Sequence, residues 1–124
     1  MTKWFSLAIG GTAGTFARYL VGGLIYQLMG TSFPYGTIVV NLSGCFLIGF
    51  LAALAEEKFL LGPTARTLLM IGFCGAYTTF STFMLETSNL IKDGEMMRAF
   101  LNLAASVIFG FITLRCGVYL GEII

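Results

Sequence analysis

The stretch TTFSTF at residues 78–83 places four hydroxyl groups in the middle of an apolar run that extends from about residue 67 to residue 91. The run is otherwise typical of a membrane-spanning helix, and Gly72 and Gly75 come shortly before the hydroxyl groups. Hydroxyls and glycines at this density predict that the helix is broken at its centre. Backbone that leaves a helix at membrane depth persists only where it is buried in protein or lines a cavity. The stretch is therefore a candidate ion or substrate site.

The composition of the whole chain indicates an integral membrane protein. Of its 124 residues, 57% are hydrophobic and 10% are charged, whereas soluble domains carry about 25% charged residues. The formal net charge is +1, so we expect no basic patch for nucleic acid. Histidine is absent, which removes the commonest general base and metal ligand. Without a charged cluster or a nucleophile–base pair, an enzyme is the least favoured class.

Four hydrophobic segments make up a single transmembrane domain that covers residues 1–124. They span about residues 4–29, 35–55, 67–91 and 97–124, with short polar turns between them. Each is long enough to cross a hydrocarbon core about 30 Å thick at about 1.5 Å per residue. The sequence therefore predicts an all-α membrane protein with four transmembrane helices, of which the third is broken at its centre.

Positive charges are spread almost evenly over the two ends of such a bundle. The side of the termini holds Lys3, Lys58, Arg66 and Arg115, and the opposite side holds Lys92, Arg98 and, ambiguously, Arg18. This is almost no positive-inside bias. Either features that the count misses set the orientation, or the chain inserts both ways and pairs with an inverted copy. Because a lone bundle of this size has too little interior for a pathway, we favour an antiparallel dual-topology homodimer.

Further polar residues lie at membrane depth in the second and fourth segments. Asn41 lies six residues past Tyr35, too far in for a cap, and its amide either joins two helices or faces a pathway. Asn102 and Ser106 are four residues apart and share a helix face. Their stripe carries no charge. It suits partial replacement of an ion's hydration shell and does not suit a proton relay, which needs ionisable groups.

The two halves of the third segment offer different groups. Thr78 or Thr79 is a candidate N-cap of the second half, because a hydroxyl accepts from the first free N–H groups of a helix. Carbonyls of the first half, which ends near Gly75, can bind a cation. Phe80 and Phe83 share a face of the second half. Such a pair is usually core packing, although ring edges are electropositive and can contact an anion.

Glu86 lies near the outer end of the third segment, three residues after Phe83. Its carboxylate either reaches the membrane interface or pairs with Arg18, or it lines the vestibule of a pathway. The residues alone leave these interpretations open.

The chain resembles the CrcB/Fluc fluoride channels over essentially its full length. The resemblance is carried by GGTAG at residues 10–14 with the following Arg18-Tyr19, by GT at 36–37 with VNLSG at 40–44, by GFCG at 72–75 running into residues 78–83, and by Glu86. The third of these features is the most specific. The resemblance implies a fluoride-selective passive channel that exports cytoplasmic fluoride across the cell inner membrane.

The resemblance also implies an assembly and roles for individual residues. Two inverted copies would form two pores in the lipid bilayer, with a structural sodium ion on the two-fold axis held by main-chain carbonyls of Gly75 and Thr78. Asn41 would donate to fluoride, and Phe80 and Phe83 would present ring edges to it. The other residues assigned to the pore are Ser81, Thr82, Asn102 and Ser106, and the possible vestibule residues are Arg18 and Glu86.

Two alternatives belong to other functional classes. A small dual-topology multidrug exporter that exchanges protons also has four short helices, but it needs an acid in its first helix, where this chain has Arg18. Glu86 is the only intramembrane candidate for that acid. A non-transporting membrane subunit, held together by glycine-mediated packing, would leave the polar stripe and the broken helix unexplained.

Overall fold

The computed structural model describes residues 1–124 as helices joined by short loops, without strands. We number the helices α1 (Thr2–Met29), α2 (Tyr35–Glu56), α3 (residues 63–77), α4 (Phe80–Lys92) and α5 (Met96–Ile123). α3 and α4 together occupy the third predicted segment. The helix ends lie within four residues of the predicted boundaries, so the apolar runs located the helices correctly.

Three helical stretches are long and apolar enough to cross a membrane. They are Tyr35–Glu56, Pro63–Lys92 and Met96–Ile123, with mean hydropathies of 2.3, 1.5 and 1.8 over an apolar stretch of 18 residues in each. α1 has 28 residues, but its five glycines and Arg18 lower its hydropathy, and it is not among the three. The prediction of an all-helical chain with membrane-spanning segments is confirmed at this level, and the fourth crossing stays a prediction.

α3 changes its helical type along its length. It begins as one α-helical turn at Pro63–Ala65, continues as a π-helix over Arg66–Cys74 and closes with a second α-helical turn at Gly75–Tyr77. Proline at the first helical position costs no hydrogen bond, because that N–H has no intrahelical partner. π-helical backbone is rare in proteins, and where it occurs it often lies at a functional site.

Glycines of α1 bring it into backbone contact with the π-helical part of α3. A Cβ atom at Gly10 would collide with the carbonyl oxygen of Leu68, and one at Gly14 would collide with that of Phe73. Small residues allow this close approach, which drives helix association in membranes. The packing fixes the end of α3, and with it the start of the candidate site, against α1.

α2 and α5 meet along a second line of small residues, which we call the α2–α5 seam. A Cβ at Gly49 would collide with the carbonyl oxygen of Leu114, and one at Gly117 with that of Phe46. A Cβ at Gly121 would lie 2.6 Å from the Cβ of Ala53. The seam joins the second helix to the last one along their length.

Thr78 and Thr79 separate α3 from α4. Their backbone is extended, with φ and ψ of −86° and 157° at Thr78 and −147° and 116° at Thr79. Thr79 is the N-cap of α4, because its side-chain oxygen accepts from the N–H of Thr82 at 3.3 Å. The Thr78 hydroxyl instead donates back to the carbonyl of Cys74 at 2.9 Å. Of the two predicted caps, Thr79 is the one present.

Candidate functional site

A cavity of about 570 Å³ lies beside the extended segment, between α2, α3, α4 and α5. We call it the central cavity. Apolar side chains make up much of its lining, and six residues predicted for an ion site complete it: Asn41, Gly75, Thr78, Phe80, Phe83 and Ser106. The structure therefore gathers these six residues, which come from three of the four apolar segments, around one space.

The amide of Asn41 holds the extended segment against α2. Its Nδ2 donates to the carbonyl oxygen of Thr79 at 3.0 Å, and its Oδ1 accepts from the N–H of Thr79 at 2.8 Å. Both backbone groups of a residue outside the helix are thereby satisfied, and in hydrocarbon each would be costly without a partner. One of the two amide N–H groups stays available for another acceptor.

Two carbonyls lose their usual helical donors at this segment. In a continuous α-helix the carbonyl of Gly75 would accept from the N–H of Thr79, and that of Thr78 from the N–H of Thr82. Both N–H groups bond to side-chain oxygens instead, those of Asn41 and Thr79. The carbonyls of Gly75 and Thr78 are therefore available to another electropositive partner.

Phe80 and Phe83 form an aromatic surface at the central cavity. Their ring centroids are 6.0 Å apart and their planes are inclined by 71°, an edge-to-face arrangement that aromatic pairs prefer. Phe83 is 7% exposed, whereas Phe80 is 73% exposed. The surface thus runs from the interior of the chain to its outer face.

The two polar residues predicted on α5 lie in different environments. Ser106 borders the central cavity, whereas Asn102 is fully buried and its Nδ2 donates to the hydroxyl of Thr87 at 2.9 Å. That hydroxyl donates to the carbonyl of Phe83 at 2.8 Å. The Oδ1 of Asn102 is buried without a hydrogen-bond partner. In the single chain, Asn102 joins α5 to α4 and lies outside the central cavity.

A second cavity, of about 390 Å³, is bordered by α1, α2, α4 and the extended segment. We call it the lateral cavity, and the lining residues that matter here are Arg18, Tyr26, Thr37, Thr79, Thr82 and Glu86. Arg18 is its only cationic residue and Glu86 its only carboxylate. Thr79 borders both cavities, so the extended segment stands between them.

Arg18 and Glu86 do not pair with each other. The Nε of Arg18 donates to the carbonyl of Ala76 at 3.0 Å, and Oε2 of Glu86 accepts from the hydroxyl of Tyr26 at 2.9 Å. The interpretation in which Arg18 neutralises Glu86 is wrong. The reason is that each group has another partner. The C-terminal carbonyls of α3 attract the Arg18 guanidinium, and the Tyr26 hydroxyl donates to the Glu86 carboxylate.

Ser81 lines neither cavity. Its side chain is exposed, while the preceding Phe80 borders the central cavity and the following Thr82 borders the lateral one. The first turn of α4 therefore presents its side chains in three directions.

Two residues with contacts at the site were not singled out from the sequence. Tyr26 lies eight residues after Arg18, and Thr87 lies four residues after Phe83. Both spacings put the residue near the face of its helix that carries a predicted site residue. A polar group at such a spacing inside an apolar segment is the signal that would have identified them.

Comparison with known proteins gives full-length matches. The family described as CrcB-like protein, Camphor Resistance (CrcB), matches residues 5–118. A protein of Maridesulfovibrio salexigens named fluoride-specific ion channel FluC is 44% identical over 124 residues, covering 100% of this chain and 98% of that protein. Proteins with the same name from Solidesulfovibrio magneticus and Chlorobaculum tepidum are 45% and 50% identical, covering 95% and 92% of this chain and 94% and 90% of those proteins.

Proposed function

Since this chain belongs to the CrcB family, we propose that it is a fluoride-selective passive channel that exports fluoride across the cell inner membrane. The observation that carries the proposal is the central cavity, where uncharged donors surround extended backbone within an apolar helical stretch. A pore has to bind an ion well enough to admit it and weakly enough to release it. Hydroxyl, amide and ring-edge groups without a formal charge suit both needs.

The channel would be a homodimer of two copies in opposite orientations. Three apolar side chains border the central cavity and are exposed in the single chain: Ile71 by 63%, Phe80 by 73% and Val107 by 66%. A second copy seated on this rim would bury them and close the cavity. The even distribution of positive charge supports insertion in both directions. Two-fold symmetry would then duplicate the path and give two pores.

The break between α3 and α4 would lie at membrane depth and hold a structural sodium ion. Carbonyl oxygens at unwound helix ends are the groups that bind sodium in transporters, and Gly75 and Thr78 have both lost their helical donors. One chain offers only these two carbonyls here, so the same pair from the inverted copy would complete the shell. Bound there, the ion would supply positive charge that holds the two copies together.

The fluoride path would follow the aromatic surface of Phe80 and Phe83. Asn41, with its remaining N–H, and Ser106 would donate along it, and Thr82 would lie with Arg18 and Glu86 in a vestibule formed by the lateral cavity. The support for these roles is that their side chains border the two cavities. Ser81 and Asn102 are assigned to the path by the family resemblance alone.

The alternative of a proton-coupled multidrug exporter has weaker support. α1 contains no Asp or Glu, so it lacks the acid that would exchange protons for a cationic drug. The named relatives are ion channels, which favours passive transport of an anion.

Fluoride efflux from liposomes that contain the purified protein tests the proposed function. We expect rapid fluoride release down its gradient, chloride release at the rate of protein-free liposomes, and no effect of an imposed proton gradient. Release of fluoride only with a proton gradient would favour an exchanger. Folded protein that releases no fluoride would contradict the proposal.

A further inference from the structure

Tyr26 stands at the boundary between the lateral cavity and a third cavity. The third cavity, of about 340 Å³, is formed by the loop between α1 and α2 and by the end of α4, and we call it the outer cavity. Tyr26 and Glu86 are the two residues that border both cavities. The hydrogen bond between them therefore lies where the two spaces meet.

The position of the Tyr26 side chain is determined by contacts on two sides. Its single hydroxyl hydrogen goes to Glu86, so in the 3.4 Å contact between the Tyr26 and Thr37 hydroxyls the Thr37 group is the donor. The ring lies against Gly36, where an added Cβ would come within 2.6 Å of the ring Cδ2. The hydroxyl is thus aimed at Glu86 by a chain of hydrogen bonds and by close packing.

The Tyr26 hydroxyl is the only hydrogen-bond partner of the Glu86 carboxylate. Oε2 accepts from it at 2.9 Å, and Oε1 is buried with no partner. Arg18 is the only cationic residue that borders the lateral cavity, and the other charged residue that borders the outer cavity is Asp93. A carboxylate released from Tyr26 would share the lateral cavity with the guanidinium of Arg18. Pairing there would cancel the charge that attracts an anion into the lateral cavity.

We propose that Tyr26 is a positioning residue that holds the Glu86 carboxylate away from Arg18. Arg18 is thereby kept available to the anion in the lateral cavity. The inference rests on the proposed function, because it concerns how fluoride is collected before it enters the pore.

The test is the fluoride concentration dependence of efflux from liposomes that contain Tyr26→Phe. The substitution keeps the ring and removes the hydroxyl. We expect the half-saturating fluoride concentration to rise roughly tenfold, the size expected for one hydrogen bond to a charged group, while the maximal rate changes less. Tyr119→Phe is the matched control, since Tyr119 is 64% exposed and borders neither the lateral nor the outer cavity. It should keep the parent values.

A second background separates positioning from a general loss of packing. In Glu86→Gln the neutral amide cannot neutralise Arg18, so adding Tyr26→Phe should leave the half-saturating concentration of Glu86→Gln unchanged. Thr37→Val, which removes the donor to Tyr26, should cause a smaller rise of the same kind and provides an independent variant. An equal effect of Tyr26→Phe in both backgrounds would overturn the inference, as would a Tyr26→Phe variant identical to the parent. If the parent itself conducts no fluoride, the proposed function fails and the inference fails with it.

Discussion

Asn41 supplies at Thr79 the two hydrogen bonds that a neighbouring turn of helix would supply in an unbroken segment. A side-chain amide can do this because it carries the same donor and acceptor as a peptide group. The position of Asn41 deep within the second apolar segment was enough to predict that its amide either joins two helices or faces a pathway. The identity of its partner could not be predicted, because that depends on how α2 packs against the extended segment.

Replacement of Asn41 by leucine keeps the side-chain volume and removes both hydrogen bonds. The N–H and carbonyl of Thr79 would be left without partners, at a cost of about 1–3 kcal/mol each when buried. We expect Asn41→Leu to unfold at a clearly lower temperature than the parent in detergent, followed by circular dichroism. Asn89→Leu is the control, because it makes the same replacement at an exposed side chain of α4 that forms no hydrogen bond. Parent-like unfolding of Asn41→Leu would show that the amide does not hold the segment.

At the scale of the helices, the boundaries were predictable and the helical type of α3 was not. Long apolar runs bounded by charged or glycine-containing turns locate helices, because hydropathy and turn chemistry are local properties. The π-helix at Arg66–Cys74 has no such local signature. It lies against Gly10 and Gly14 of α1, so it belongs to a contact between helices that the linear sequence does not display.

The α2–α5 seam gives a direct test of packing between helices. In Gly117→Ala the new methyl group would meet the carbonyl oxygen of Phe46, and backbone can relieve such overlap only by separating the helices. We expect a loss of stability of about 1–3 kcal/mol, the usual cost of overpacking, measured as reduced resistance to denaturation in detergent. Gly11→Ala is the matched control, because a Cβ there has nothing within 4 Å. Equal losses in both variants would mean that the seam is not tightly packed.

For the whole molecule, the class of protein could be predicted from the sequence, whereas the arrangement of the cavities could not. Composition and segment length predict a membrane protein because they sum over many residues. The lateral cavity could not be predicted from sequence, since it joins residues of three helices. The resemblance supplied the candidate residues, and the folded chain shows that they divide between two cavities and leave Asn102 and Ser81 outside both.

Dual topology predicts that single charge changes at opposite ends shift the orientation in opposite directions. Glu122→Lys adds a positive charge on the side of the termini and should favour copies whose termini face the cytoplasm, whereas Glu95→Lys should favour the reverse. C-terminal reporters that are active only inside or only outside the cytoplasm would measure both populations. We expect the parent to be active with both reporters, and fluoride flux to fall in both variants because unequal populations leave copies unpaired.

A parent that inserts in one orientation only, and keeps it in both variants, would contradict the inverted dimer.

Glu122 has a further effect at its own end of the molecule, where a hydrogen bond to it raises the pKa of the Glu57 carboxyl. Glu122→Lys removes that carboxylate partner, so Glu57 should become easier to ionise. At the other end, Glu95 forms an ion pair with Arg98 at 3.5 Å, which Glu95→Lys removes. The two local changes differ, so the result that identifies dual topology is that the two substitutions shift the orientation in opposite directions.

The wall between the central and lateral cavities is one residue thick, because Thr79 borders both. The Asn41 amide forms hydrogen bonds to both the N–H and the carbonyl of Thr79. The N–H and the carbonyl of Thr79 belong to two successive peptide planes, so one side chain of α2 fixes both planes of the partition. The boundary between the two cavities is thereby tied to the position of α2.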